Sequence, residues 1–197
     1  MFFKNRFSSP LTITYAEIAT HNHFVLDHGG KIFNRTAPVI KLPAGASEDE
    51  HLGLLGLLNS SAACFWLQQV CHNKGRPGAN IAGADERFEM RYAINASNVA
   101  EFPLCDARPL EAARMLDTLA QRVDAALPAN YLRAFSAGAV PLPTRTLLDE
   151  QRDQVAVMRR QAVAWQEELD WQCLGLYGLL PTAIETARAY LNASAYA

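Results

Sequence analysis

Seven positions near the end of the chain, Leu148, Gln151, Val155, Met158, Ala162, Trp165 and Leu169, follow one another at alternating steps of three and four. That spacing puts them on one seam of a long helix, and such a seam is stable only when it lies along another helix. Thr144 supplies the N-cap after Pro141-Leu142-Pro143, and Gly178 with Pro181 supplies the stop, so the helix is expected to run from about residue 144 to 178, with a short helix beyond it. The preceding helical pattern, residues 107–127, is rich in alanine and carries Leu110, Ala113, Leu116, Ala120, Val123 and Leu127 on one face. It is the expected partner, folded back as an α-helical hairpin or coiled-coil tail.

Upstream of about residue 105 the pattern changes. Leu11-Thr12-Ile13-Thr14-Tyr15 is rich in β-branched and aromatic residues and predicts a strand. His23-Phe24-Val25-Leu26 and Lys31-Ile32-Phe33-Asn34 flank Asp27-His28-Gly29-Gly30, which predicts a hairpin. Val39-Ile40-Lys41-Leu42 is a further expected strand, stopped by Pro43. Ser47-Glu48-Asp49-Glu50 is a capping box with acids in the first turn, where the helix dipole favours them. Leu55, Leu58, Ala62, Phe65 or Trp66, and Val70 continue one helix as far as Asn73-Lys74-Gly75. A glycine-rich loop over 75–86 follows, then a strand at Arg91-Tyr92-Ala93-Ile94 and extended chain from Val99 to Pro103. The expected fold class is therefore α/β (α+β): a domain over 1–105 with mixed strands and one long packed helix, and a helical tail over 106–197.

Composition narrows the function. The net charge is −2 and there is no run of like charges, so a nucleic-acid surface must gather its cations on one face. Arginine, the side chain suited to bidentate contacts with phosphate and guanine, outnumbers lysine. No apolar stretch is long enough for a membrane span, and the opening Met1-Phe2-Phe3-Lys4 lacks the order of a signal peptide, which leads to an expected cytoplasmic location. The four cysteines form no C-x-x-C pair, and Cys64 and Cys71, a heptad apart, are expected as small buried residues.

Catalytic motifs are not found. His21-Asn22-His23 resembles a nuclease tripeptide but runs straight into a strand, and a metal site built on His21, His23 and Asp27 or His28 lacks a further ligand. The glycine-rich loop follows a helix, whereas phosphate-cradling loops precede one. Asn-Pro-Pro-Tyr/Phe, which holds a flipped adenine, does not occur. Neither does a glycine-rich cofactor turn.

Several strings together resemble, in the same order, the C-terminal region of the PglX methyltransferases of BREX phage-defence systems. They are Ala19-Thr20-His21-Asn22-His23-Phe24-Val25-Leu26-Asp27, Lys31-Ile32-Phe33-Asn34-Arg35, Ala37-Pro38-Val39-Ile40-Lys41-Leu42-Pro43, Leu54-Leu55-Gly56-Leu57-Leu58-Asn59-Ser60-Ser61, Cys71-His72-Asn73-Lys74-Gly75 and Glu101-Phe102-Pro103-Leu104. The tail string Leu169-Asp170-Trp171 and Leu176-Tyr177-Gly178-Leu179 is similar to the helical end of the same enzymes. More distantly, the strings resemble restriction–modification enzymes with a specificity domain like that of the TaqI methyltransferase. The resemblance implies a target-recognition part of an adenine-N6 DNA methyltransferase. S-adenosylmethionine would be bound by a separate N-terminal catalytic domain and no cofactor by this chain, with double-stranded DNA and that catalytic domain as partners. Lys31, Asn34, Arg35, Lys41, Asn73, Lys74, Arg76, Arg87 and Arg91 are the candidate DNA-contacting residues, with Asn80 a further polar residue of the loop. Asn59-Ser60-Ser61 is expected to serve helix packing. The alternative is a stand-alone specificity or interaction module that docks a partner through the heptad helix.

Overall fold

The computed structural model describes residues 11–29, 31–74 and 90–180. It is a mixed α/β structure with two small antiparallel sheets and six helices among those residues. Strand β1 (Thr12–Tyr15) is the centre of the first sheet, flanked by β3 (Phe24–Asp27) and β4 (Val39–Ile40). Alternation along β1 and β3 sends Ile13, Tyr15, Phe24 and Leu26 into the core and leaves Val25 exposed. The Tyr15 and Phe24 rings meet across the strands at 4.8 Å.

The hairpin expected over 23–34 does not form. The partner of β3 is β1, in the register Tyr15↔Phe24 to Thr12↔Asp27, and Lys31–Asn34 is not a strand. Two local features divert the chain. Gly29 adopts φ of 97°, and the Asn34 side-chain oxygen accepts from both the N–H and the hydroxyl of Thr36, forming its own turn. Ile32, expected in a strand, is left 79% exposed.

The capping box forms as expected. Ser47 accepts from the Glu50 N–H and the Glu50 carboxylate accepts from the Ser47 N–H at 2.7 Å, which holds the Glu50 carboxyl below its ordinary range. The single helix expected beyond it is two helices, α1 (Glu48–Leu58) and α2 (Ser61–Val70). The Ser60 hydroxyl donates to the Leu57 carbonyl at 2.7 Å and accepts from the Ala63 N–H at 3.1 Å, so it closes one helix and caps the next. Past Cys71 the chain is extended, and His72–Asn73, expected as the helix end, is strand β5.

Strand β6 (Tyr92–Ala93) is where a strand was expected. It lies between β5 and β2 (Ile18–Ala19) in the second sheet. Val99 and Ala100, expected extended, lie in the short helix α3 (Ala96–Ala100), capped by the Asn95 side chain on the Asn98 N–H. Helix α4 (Leu110–Ala125) is followed by α5 (Pro128–Ser136), where a break was expected; Pro128 is at its first turn, a position where the missing N–H costs nothing.

Helix α6 (Arg145–Leu176) packs along α4. Of its seam, Met158 and Leu169 are buried, Val155, Ala162 and Trp165 are half-buried, and Leu148 stays exposed. On α4 the buried residues are Ala112, Ala113 and Leu119, so the inward face is turned from the expected one and Ala120 is exposed. The reason is that α4 faces α1 as well as α6. At the far end of α6, Gly178 (φ 65°) donates to the Gly175 carbonyl and Leu179 to the Leu174 carbonyl, a Schellman stop at the glycine singled out in the sequence. The short helix expected after Pro181 lies outside the described residues.

Helix α1 is buried over most of its surface, with Leu52, Leu55, Leu57 and Leu58 in the same core as Ala112, Ala113, Leu169 and Cys173. Its approach to α4 depends on glycine. A Cβ on Gly56 would stand 2.9 Å from both the Ala113 Cβ and the Pro109 ring. Glycine-to-alanine changes inside helices ordinarily stabilise, by up to about 1 kcal/mol. Gly56→Ala is expected to do the reverse and destabilise by about 1–3 kcal/mol through overpacking. Gly175→Ala, whose Cβ would meet only Leu180 at 3.6 Å, should not lower the melting temperature, so thermal melts of the two variants check the assignment.

Leu169 is fully buried in that shared core. Leu169→Ala is expected to cost about 2–5 kcal/mol. In calorimetry the loss should lower a transition shared by residues on both sides of position 105. A variant that melts like the parent would place the α6 seam outside the core.

Candidate nucleic-acid interface

The second sheet gathers three of the nine candidate residues. The register His72↔Ala93 and Asn73↔Tyr92 continues to Lys74 opposite Arg91, whose carbonyl accepts from the Lys74 N–H at 2.7 Å. Asn73, Lys74 and Arg91 are all exposed. Two cations directly across a strand pair repel, with Cβ atoms about 5 Å apart, and weaken the sheet they sit on. An anion placed between them would lower that repulsion. The two residues stand on either side of residues 75–89 in the sequence, and Arg76, Asn80 and Arg87 lie outside the described residues.

The other candidates are not brought together with this pair. Lys31 reaches Asp27 at 3.8 Å, so part of its charge is compensated by a buried carboxylate. The Asn34 oxygen is engaged in its own turn, beside the exposed Arg35. Lys41 follows β4 and is exposed, with an interaction of its own.

The His21-Asn22-His23 tripeptide has a structural role through its central residue. The Asn22 side-chain amide donates to the Leu58 carbonyl at 2.7 Å and to the Ser60 carbonyl at 3.1 Å, at the end of α1. Beside it, Asn59 accepts from the Phe24 N–H at 2.8 Å and donates to the Phe24 carbonyl at 2.9 Å, as a neighbouring strand would. The Asp170 carboxylate of α6 accepts from the Ser61 N–H at 2.7 Å, and Gln166 donates to the Asn59 carbonyl. Asn59-Ser60-Ser61 thus serves packing, as expected. Among the described residues no three His, Cys, Asp or Glu side chains are grouped to hold a metal ion. Burial pushes the Cys173 thiol up to about 11, so it stays protonated at neutral pH and is no nucleophile.

No protein-family model and no solved structure matches the chain. Over 171 residues it is 47% identical to the adenine-specific methyltransferase PglX of Streptomyces coelicolor, a match covering 85% of this chain and 14% of that protein. The chain is a homologue of one segment of PglX. Among the described residues, no helix is long and apolar enough to cross a membrane.

The junction generates its own test. Asn59→Ala would leave the Phe24 N–H and carbonyl unpaired at a site where both face protein. The cost is expected to be about 1–3 kcal/mol, read as a lower urea midpoint. Asn59→Asp keeps the acceptor and loses the donor, and should fall between parent and alanine variant.

Proposed function

We propose that this chain is the target-recognition part of a PglX-type adenine-specific DNA methyltransferase, within a BREX-type phage-defence system. The observation that carries the reading is the 47% identity to PglX across 85% of the chain. Residues 1–105 would recognise DNA and 106–197 would act as a helical spacer that braces them. S-adenosylmethionine and the adenine-flipping motif would belong to a separate catalytic domain, and the protein would work in the cytoplasm on double-stranded DNA. The Lys74–Arg91 pair would clamp a phosphate, fixing the register in which Asn73 and the residues of 75–89, Arg76, Asn80 and Arg87 among them, meet the base edges. Lys31, Asn34, Arg35 and Lys41 would lie toward the backbone farther along the duplex.

A second reading, docking of a partner chain by the long helix, is favoured by one observation. Val157, Val163 and Trp171 of α6 are 44%, 61% and 42% exposed although the seam itself is used on α4.

Salt-dependent binding separates the two. In a full-length PglX-type enzyme carrying this segment, Lys74→Ala with Arg91→Ala should weaken duplex binding on all sequences alike. It should also reduce the slope of log affinity against log salt by about one, for the single phosphate the pair would hold. Arg76→Ala should cost about 1–3 kcal/mol at a single position of the methylated site if that side chain reads a base. Unchanged binding and slope in the double variant would remove the second sheet from the DNA interface and leave the docking reading.

A further inference from the structure

The outer edge of β3 opens into a cleft of about 640 Å³ walled by α4 and α6. The backbone of Leu26 presents an unpartnered donor and acceptor to that edge, by two independent observations. Phe24, two residues earlier and so facing the same way, gives both its N–H and its carbonyl to Asn59. On the opposite strand, the Tyr15 N–H points away from β3, to the Pro38 carbonyl on the β4 side, and Ile13 is two residues from it. Tyr15↔Phe24 and Ile13↔Leu26 are therefore both non-hydrogen-bonded pairs, and the Leu26 N–H and carbonyl are directed outward. No described residue meets them, although Leu26 is only 5% exposed and lines the cleft. Unpaired backbone groups so shielded are costly, and are ordinarily matched by a ligand or by water.

The shape of the edge selects the ligand. Strand addition needs successive free residues, but the slot beside Phe24 is filled by Asn59, and beyond Leu26 the His28 side chain reaches Gln121 and Asp117 of α4. One free donor–acceptor pair between two closed positions fits a planar group with a complementary edge, and every nucleobase carries one. Leu116, Leu119 and Val123 supply apolar wall for a ring. The two carboxylates of the cleft are already engaged, Asp170 by the Ser61 N–H and Gln166, and Asp117 by Gln121 and His28. Arg159 is different: it is exposed at the cleft, has no ion pair among the described residues, and lies three turns of α6 before Asp170.

We propose that this cleft is a nucleotide-binding site, with the base hydrogen-bonded to the Leu26 backbone and the phosphate held by Arg159. It shares no residue with the Lys74–Arg91 pair, so it stands or falls apart from the function proposed above. The nucleotide can be free or part of a strand, and the chemistry recognised is the same.

The test is titration of the isotopically labelled 197-residue chain with AMP, GMP, CMP and TMP, each beside its nucleoside, followed by amide NMR. At least one monophosphate should saturate, move the Leu26 amide, and bind about tenfold more tightly than its nucleoside, as a charge-assisted hydrogen bond gives. Arg159→Ala should abolish that preference while leaving nucleoside binding unchanged. Ala120→Trp, at an exposed position facing the cleft, should block both. A duplex with one unpaired nucleotide competing better than the fully paired duplex identifies the strand as the source, and equal competition identifies the free nucleotide. Absence of saturable binding by all four monophosphates at millimolar concentration overturns the proposal. So does binding that depends on Arg159 and leaves the Leu26 amide unmoved, the signature of an anion site only.

Discussion

The break between α1 and α2 governs the structure around it. Helix ends leave carbonyls and N–H groups without intrahelical partners, and here two ends meet inside the protein. Ser60 is fully buried at that point, and polar side chains from three directions complete the accounting. Asn22 serves the carbonyls of Leu58 and Ser60, Asn59 serves the backbone of β3, and Asp170 caps the Ser61 N–H from α6. Each unpaired group would cost about 1–3 kcal/mol, so the sheet, the helix pair and the long helix are held in one arrangement by the need to satisfy a single turn. The geometry of the cleft follows from the same turn, since Asn59 closes the position next to Leu26.

Close packing adds a second constraint that hydrogen bonds could not. Helix α1 meets the sheet on one side and α4 on another, so it has no polar stripe of ordinary width, and its glycines at 53 and 56 face Arg108, Pro109 and Ala113. The aromatic chain Trp66, Phe102 and Tyr177, at centroid spacings of 5.5 and 5.9 Å, binds the other end of the core. The Tyr177 hydroxyl donates to the Pro103 carbonyl at 2.8 Å there, tying the end of α6 to the Phe-Pro-Leu string.

What could be read from the sequence divides along physical lines. Features written in a few neighbouring residues are legible: the Ser47 capping box, the Thr144 cap, the Gly178 stop, and the β-branched and aromatic content of β1. Features set by distant partners are not. The Ser60 break reads as uninterrupted helix because its capping serine is compensated by residues 22 and 170, which no local pattern reveals. Lys31–Asn34 carries β-forming side chains, yet Asn34 and Gly29 turn the chain before a hairpin can close. In the second sheet β6 falls within the expected strand, but β2 and β5, two residues each, are too short for periodicity to register. Of the interface, the candidate cations were visible as residue types, but the facing of Lys74 and Arg91 is a product of strand register. Arg159, on a heptad pattern, reads as solvated surface.

That division bears on how a chain of net charge −2 can approach a polyanion. The whole-molecule field gives no attraction, so under the proposed function binding would have to come from a few cations held close together. Helices could gather them only at spacings of three and four, where Asp149 already compensates Arg145 and Arg152 on α6. The second sheet does it with less sequence: residues 74 and 91, far apart in the chain, are set opposite one another by two residue pairs of ladder. The rigid parts, α1, α4 and α6, then carry the burial, and the small sheet at the margin carries the repulsion between its two cations. A scaffold stabilised elsewhere can tolerate that local penalty, and under the proposed function the same penalty would favour a phosphate oxygen at the position.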